Sequence, residues 1–305
     1  MNQRKLENLS LEDLIPRAEF LIEALPYIQQ FRGQTIVVKY GGSAQLDEEL
    51  RKNTIKDIVL MELVGMRVVV VHGGGPEVSN MMKKQGLEPR FEDGLRVTDK
   101  DTLSITEMVL SGKLSREIVN MINMVGGAKA VGLTGKDGGM VTAHKFQNLT
   151  RDGKKGPDIG FVGEVEHVNP SILHTLINEG YIPIISPIAP DVNGQTFNIN
   201  GDPFAASIAR ALGAVKFVLL TDVNGIMTDP DDPKSLIQSL TQSEAEELIR
   251  QGVISGGMIP KVMACIDALE GGVQRTHILD GRLPHSLLLE IFTHEGIGTM
   301  LLPNH

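Results

Sequence analysis

Apolar positions along this chain switch repeatedly between the period of a strand and that of a helix. The β-rich apolar runs 35–39 and 67–71 flank a stretch, 47–64, whose apolar residues (Leu50, Ile55, Ile58, Val59, Met61 and Leu63) suit a helix. Strand, helix and strand in that order form a βαβ unit, and hence a parallel sheet. The alternation continues with helices over 77–85 and 101–124, a strand over 129–133, a helix over 171–179 and a strand over 181–185. Between these, 140–146 and 161–168 alternate around a turn rich in Gly, Lys and Asp, which predicts a protruding β-hairpin of the kind that acts as a lid. Past Pro190 the pattern restarts with a strand over 196–199, a helix over 202–212, a strand over 215–221 and helices over 243–251, 260–270 and 284–293. The class this implies is doubly wound α/β, with a lobe boundary near residue 190.

Ahead of the first strand, Ala18, Leu21, Ile22, Leu25 and Ile28 recur at spacings of three and four, an amphipathic helix that Pro26 should kink. Its apolar face has two readings: it lies on its own domain, or it is exchanged with a neighbouring subunit. Arg4, Lys5, Glu7, Glu12 and Asp13 make this start neither a signal peptide nor an anchor, and no apolar run approaches the ~18 residues that span a bilayer.

Composition narrows the partners. The 305 residues, 41% hydrophobic, suffice to bury a large core as one α/β domain or two lobes. A net charge of -9 without a sustained Lys/Arg run argues against nucleic acid and anionic membranes, so substrate anions must be held by local devices. The single Cys265 allows no intrachain disulfide and no cysteine metal cluster, reads as a buried structural thiol, and fits a reducing cytoplasm.

Local anion-holding devices occur at several loop positions. Lys39 ends the first strand and is followed by Gly41 and Gly42, where backbone without Cβ atoms can approach an anion and the lysine adds a point charge; a structural or solvated lysine is the plainer reading. The second strand ends in His72 and the run Gly73, Gly74, Gly75 before a helix, either an anion nest or a tight turn. His72 itself reads as a packing or orienting residue. No GxxxxGK[ST] and no well-placed GxGxxG is present, which disfavours Walker-type and Rossmann nucleotide binding. Arg96 offers a planar fork for a carboxylate, or a surface ion pair. Asn198 and Asn200 alternate along a strand, and Asp202 is placed to cap the next helix. Thr221 and Asp222 follow another strand. Lys261, after Gly256, Gly257 and Met258, sits just inside a helix start, where its charge opposes the helix dipole and calls for compensation such as a bound polyphosphate.

The ordered series VVKYGG (37–42), VHGGGP (71–76), GLRVT (94–98), NINGD (198–202), LLTDVNG (219–225) and GGMIPK (256–261) resembles the amino acid kinase family, and within it the branch that phosphorylates acetylglutamate, from Thr35 to the C-terminus. GLRVT and NINGD carry the choice of branch; Gly201 stands where alanine is more usual. The resemblance implies a three-layer αβα sandwich around a mainly parallel sheet, with a protruding β-hairpin and an N-terminal helix. It implies an oligomerising and regulatory helix over 1–32, an acetylglutamate-binding, dimerising lobe over 33–190 and an ATP-binding lobe over 191–305. The implied reaction moves the γ-phosphoryl group of ATP onto the side-chain carboxylate of N-acetyl-L-glutamate, in arginine biosynthesis. Lys39 and Lys261 would flank the transferring group and Asp202 would organise them. Gly42, Gly74 and Gly75 would supply N–H groups, Arg96 and Asn198 would grip the substrate, and Gly41, Gly42, Thr221, Asp222, Gly256, Gly257 and Met258 would follow the nucleotide. A carboxylate with a pKa near ~4.3 is already an anion at neutral pH and needs no general base. Mg²⁺ would arrive bound to phosphates, with no permanent metal or organic cofactor.

The N-terminal segment resembles the helix of arginine-inhibited members, which interlaces dimers into a hexamer, a trimer of dimers. Lys216, His285, Glu290 and Gly296 are the implied L-arginine site, and a PII-type signalling protein is an implied partner of some relatives. Two rivals remain: a sister kinase of carbamate or of a carboxylate such as aspartate, the lack of an extension after Pro303 speaking against an aspartokinase, and a silent arginine sensor, which nothing would oblige to keep Lys39, Asp202 and Lys261 together.

Overall fold

The computed structural model describes residues 10–41, 47–147, 156–229, 232–293 and 296–304. Helix α1 (Leu11–Phe31) leads into β1 (Thr35–Tyr40), α2 (Glu48–Leu63), β2 (Arg67–His72) and α3 (Gly75–Lys84). A two-stranded ribbon, β3 (Phe91–Glu92) and β4 (Leu95–Arg96), precedes α4 (Lys100–Glu107), a π-helical segment (Met108–Leu114) and α5 (Ser115–Val125). Then come β5 (Lys129–Thr134), β6 (Val141–Lys145), β7 (Val162–Val168), α6 (Ser171–Asn178), β8 (Tyr181–Ser186), β9 (Ile188–Pro190) and β10 (Thr196–Ile199). The chain ends with α7 (Gly201–Ala211), β11 (Lys216–Thr221), β12 (Ser239–Thr241), α8 (Gln242–Arg250), α9 (Met258–Glu270), β13 (Arg275–Asp280), α10 (Ser286–Ile291) and β14 (Thr299–Leu302).

Eight strands form one sheet in the order β12-β14-β13-β11-β1-β2-β8-β5, parallel at every pairing except β13 with β14. Successive side chains of a strand face opposite ways, so β1 sends Ile36, Val38 and Tyr40 into a core shared with α2, α5 and α10, and Val37 into a core shared with α7 and α9. Lys39 has the parity of Val37 and is thereby aimed at α7 and α9. Burial on both faces explains why these strands read as unbroken apolar runs. Asp47 caps α2 through the Leu50 N–H, with Glu48 and Glu49 in its first turn, where negative charge suits the helix dipole.

Four features needed the tertiary structure. The helix expected over 101–124 is three pieces, its middle a π-helical turn that swings Leu110 and Leu114 against Gly74; an added Cβ there would lie 2.3 Å from Leu114 Cδ1. The hairpin arms β6 and β7 pair antiparallel, and they are also stitched into a second sheet of order β6-β7-β10-β9, with β10 parallel to β7. Strand β13 lies inside the main sheet between β14 and β11, although Arg275, Thr276, His277 and Asp280 break its apolar pattern. Helix α1 runs through Pro16 and Pro26; its last turns bury Ala24 and Phe31 on the parent core, while Phe20, Leu21, Ile22 and Leu25 stay exposed.

Candidate active site

Three loops converge at the carboxyl ends of β1, β2 and β11. Lys39, at the end of β1, forms an ion pair with its Nζ 2.8 Å from Asp202 Oδ1, and Lys261, in α9, donates to Asp202 Oδ2 at 3.0 Å. The capping reading of Asp202 is corrected: Asn200 caps α7, accepting the Asp202 N–H at 3.0 Å, and the Asp202 carboxylate is thereby left for the two lysines. Strand β10 ends at Ile199, so Asn200 is a cap and not a strand residue. Burial alone would push the Asp202 carboxyl up, but the Lys39 and Lys261 ammonium groups outweigh it and hold the pKa at about 2. Helix α9 begins at Met258, one turn before Lys261, and Asp202 supplies compensation for a cation near that positive end. The Cβ that Gly201 lacks would stand 3.4 Å from Lys39 Cε, an ordinary contact, so alanine would fit there.

Beside this triad a cavity of about 210 Å³ is bounded by Gly73, Gly74 and Gly75, by Val78 and Leu110, and by Arg96, Asn198 and Asn200. Arg96 is buried, its Nη2 donates to the Gly75 carbonyl and to Ser79 Oγ at 2.8 Å each, and its guanidinium lies 4.8 Å from the Phe91 ring centre. The surface ion pair is not what the structure shows: Arg96 is buried, burial lowers its pKa, and among the described residues it pairs with no carboxylate. Asn198 donates to Thr98 Oγ1 at 3.3 Å, and Thr98 donates to the Arg96 carbonyl, so GLRVT and NINGD meet as one network. The Gly74 and Gly75 amides open α3, where no carbonyl one turn back can take them.

On the nucleotide side, Thr221 Oγ1 accepts the Val223 N–H at 3.0 Å at the end of β11, with Asp222 exposed beyond it. Gly256 has a left-handed φ of 54°, and Gly257 is the N-cap of α9, so Gly256, Gly257 and Met258 lead directly to Lys261. Gly41 packs beside the Lys39 side chain. Gly42 lies outside the described residues. Cys265 is buried and its thiol is pushed up to about 12, mainly by burial.

A second cavity, about 440 Å³, lies at the opposite ends of the strands, under the last turns of α1. Lys216, Glu290 and Gly296 line it. His285 does not: it sits outside, with Nδ1 2.6 Å from Asp57 Oδ1, because it precedes α10 whereas Glu290 is at that helix's far end. His277 occupies the cavity instead, Nδ1 2.7 Å from Glu290 Oε1, beside Arg275 on the overlooked strand β13. A histidine just before the apolar pair Ile278 and Leu279 in a short run after a helix was the available signal. Burial lowers the Lys216 pKa to about 8, and its ammonium lies 4.9 Å from the Phe31 ring centre.

The model of the amino acid kinase family matches residues 34–280. An acetylglutamate kinase of Moorella thermoacetica is 55% identical over 291 residues, 95% of this chain and 98% of that protein. Among solved structures, the N-acetylglutamate synthase of Neisseria gonorrhoeae complexed with coenzyme A and N-acetyl-glutamate superposes with a TM-score of 0.81 at 29% identity, over 94% of this chain and 64% of that one. The same synthase complexed with coenzyme A and L-arginine gives a TM-score of 0.75 at 29% identity, over 93% and 65%. The chain thus spans just under two thirds of the synthase.

Proposed function

The chain belongs to the amino acid kinase family, in its acetylglutamate kinase branch, and from that premise we propose how its own residues carry the transfer from ATP to N-acetyl-L-glutamate. The observation that carries the reading is the buried Asp202 shared by Lys39 and Lys261 next to a cavity lined by a buried Arg96 that makes no ion pair among the described residues. Arg96 and Asn198 take the substrate's α-carboxylate and acetylamino end, and the side-chain carboxylate points toward the lysines. Being ionised already, that carboxylate attacks without a base. Negative charge spreading over the phosphoryl oxygens meets Lys39 and Lys261 from two sides and the amides of Gly42, Gly74 and Gly75, while Asp202 keeps the two ammonium groups at a fixed separation. Thr221, Asp222 and the 256–258 segment hold the nucleotide. Mg²⁺ is assigned to the nucleotide phosphates, which it would bridge.

The lobes divide near residue 190, with acetylglutamate held mainly by the first and by Asn198 of the second, ATP on the second, and the enzyme works in the cytoplasm. The second cavity suits L-arginine: Glu290 faces the guanidinium, with Lys216 and Arg275 available to the α-carboxylate and Tyr27 and Phe31 of α1 closing the side. The synthase complexed with L-arginine supports this choice of ligand. The exposed face of α1 pairs with that of another subunit, joining dimers into a hexamer. Deleting residues 1–30 should then abolish arginine inhibition, and unchanged inhibition would refute the link.

The activity is tested with ATP and Mg²⁺ against N-acetyl-L-glutamate, glutamate and aspartate in parallel, hydroxylamine trapping the acyl phosphate as a hydroxamate. Product from the acetylated substrate alone is expected. Product from aspartate would point to a sister kinase, and silence with all three while nucleotide binds would favour a sensor.

A further inference from the structure

His72 ends β2, is fully buried, and has no part in the transfer described above. Its Nδ1 lies 2.9 Å from the Gly73 carbonyl oxygen, and its Nε2 lies 2.9 Å from Ser186 Oγ at the end of β8. A carbonyl oxygen can only accept, so Nδ1 must carry the hydrogen. Burial lowers the His72 pKa to about 4, which leaves the ring neutral with that single N–H. Nε2 is therefore an acceptor, and Ser186 must donate to it. Donation runs in one direction, from the Ser186 hydroxyl through the ring to the Gly73 carbonyl.

The peptide joining Gly73 and Gly74 is planar and trans, so its C=O and N–H point opposite ways. A carbonyl tied down on His72 turns the Gly74 N–H outward, away from the ring. Gly73, Gly74 and Gly75 line the substrate cavity, and with no Cβ on either side this peptide could otherwise rotate at little cost. The Gly73 N–H is itself held, donating to the Tyr40 carbonyl at 2.8 Å. Mobility in the run is thus confined to the one peptide that His72 clamps.

We propose that His72, oriented by Ser186, is a positioning residue that locks the Gly73–Gly74 peptide with its N–H toward the transferring phosphoryl group. The inference rests on the proposed role of the Gly74 amide. It explains why a polar pair is retained between two otherwise apolar parallel strands, β2 and β8.

The test compares wild type, H72L, H72N and S186A in the hydroxamate assay, with thermal melting for integrity and ¹⁵N-histidine NMR for the tautomer. H72L keeps the bulk and loses the donor; kcat should fall about tenfold or more, within the ~10²–10³ that outright removal of such a donor costs, with the KM for ATP little changed. H72N puts an amide N–H near the Nδ1 position and should recover most of that loss. S186A removes one hydroxyl and should lower kcat less than H72L does, in a protein that melts near the wild type; it carries the test if H72L fails to fold. An Nε2–H tautomer in wild type, wild-type kcat in S186A, or H72N as slow as a folded H72L would each overturn the proposal. Absence of hydroxamate from wild type would instead refute the function on which it rests, and the NMR would still read the His72 geometry.

Discussion

Two lysines and one aspartate hold opposite charges in one buried cluster, and that cluster is the most expensive piece of the site. Removing Asp202 would leave Lys39 and Lys261 facing each other with no counter-charge, which is the costly way to break a buried pair. Asp202→Asn should therefore lower kcat by two orders of magnitude or more, on the order of 3 kcal/mol of lost organisation, in the hydroxamate assay. It should also alter the acid limb of stability. The Asp202 carboxyl is depressed in the folded state, so its stabilisation is present above the unfolded value near ~4 and is lost as pH falls through about 2. Urea melts of wild type and variant should differ most above pH 4 and converge toward pH 2. Arg96→Lys keeps the charge and discards the planar fork, so the KM for acetylglutamate should rise ~10-fold or more while that for ATP holds; equal effects on both would place Arg96 outside the substrate site.

Elements bring those residues within reach through a few close approaches. Gly160, just before β7, has a φ of 79°, and a Cβ there would lie 2.2 Å from the Thr98 carbonyl oxygen. The same contact forms the bridge of Thr98 with Gly160, and Phe161 N–H donates to the Thr98 carbonyl at 2.6 Å. Gly160→Ala should cost on the order of 2–4 kcal/mol in chemical denaturation and raise the KM for acetylglutamate by dislodging the Arg96–Thr98–Asn198 network. A variant as stable as wild type would show that the hairpin base yields freely. This coupling was invisible along the chain: the periodicity of 161–168 identified a hairpin, but strand alternation carries no record of which loop a glycine will touch. The π-helical turn escaped for a related reason, since one extra residue per turn leaves the apolar spacing of a long helix almost intact.

At the scale of the molecule, α2 and α10 come from opposite ends of the chain and are joined by Asp57 and His285, 228 residues apart. Burial raises the Asp57 carboxyl to about 6, against the pull of His285. A carboxyl raised in the folded state contributes most stability below its unfolded value near ~4 and loses it as pH rises through 6. The stability of wild type relative to Asp57→Asn should accordingly decline by roughly 2–3 kcal/mol between pH 4 and 6.5, read from denaturation curves across that range. A flat difference would mean that the pair titrates as it does in the unfolded chain.

Much of this protein was legible without coordinates because its information is local. Buried parallel strands need apolar runs, helix starts need caps, and phosphate-handling loops need glycine, so the βα order, the glycine turns, Lys39 and Lys261 and the family resemblance all stood in the sequence. The tertiary structure decided what depends on the meeting of distant segments. It made Asn200 the cap and released Asp202 to two lysines from different elements, placed the polar strand β13 between β14 and β11 inside the sheet, and put His277 rather than His285 in the second cavity. A motif records which residues are near in the chain. Burial, opposite charge and strand parity determine which are near in space.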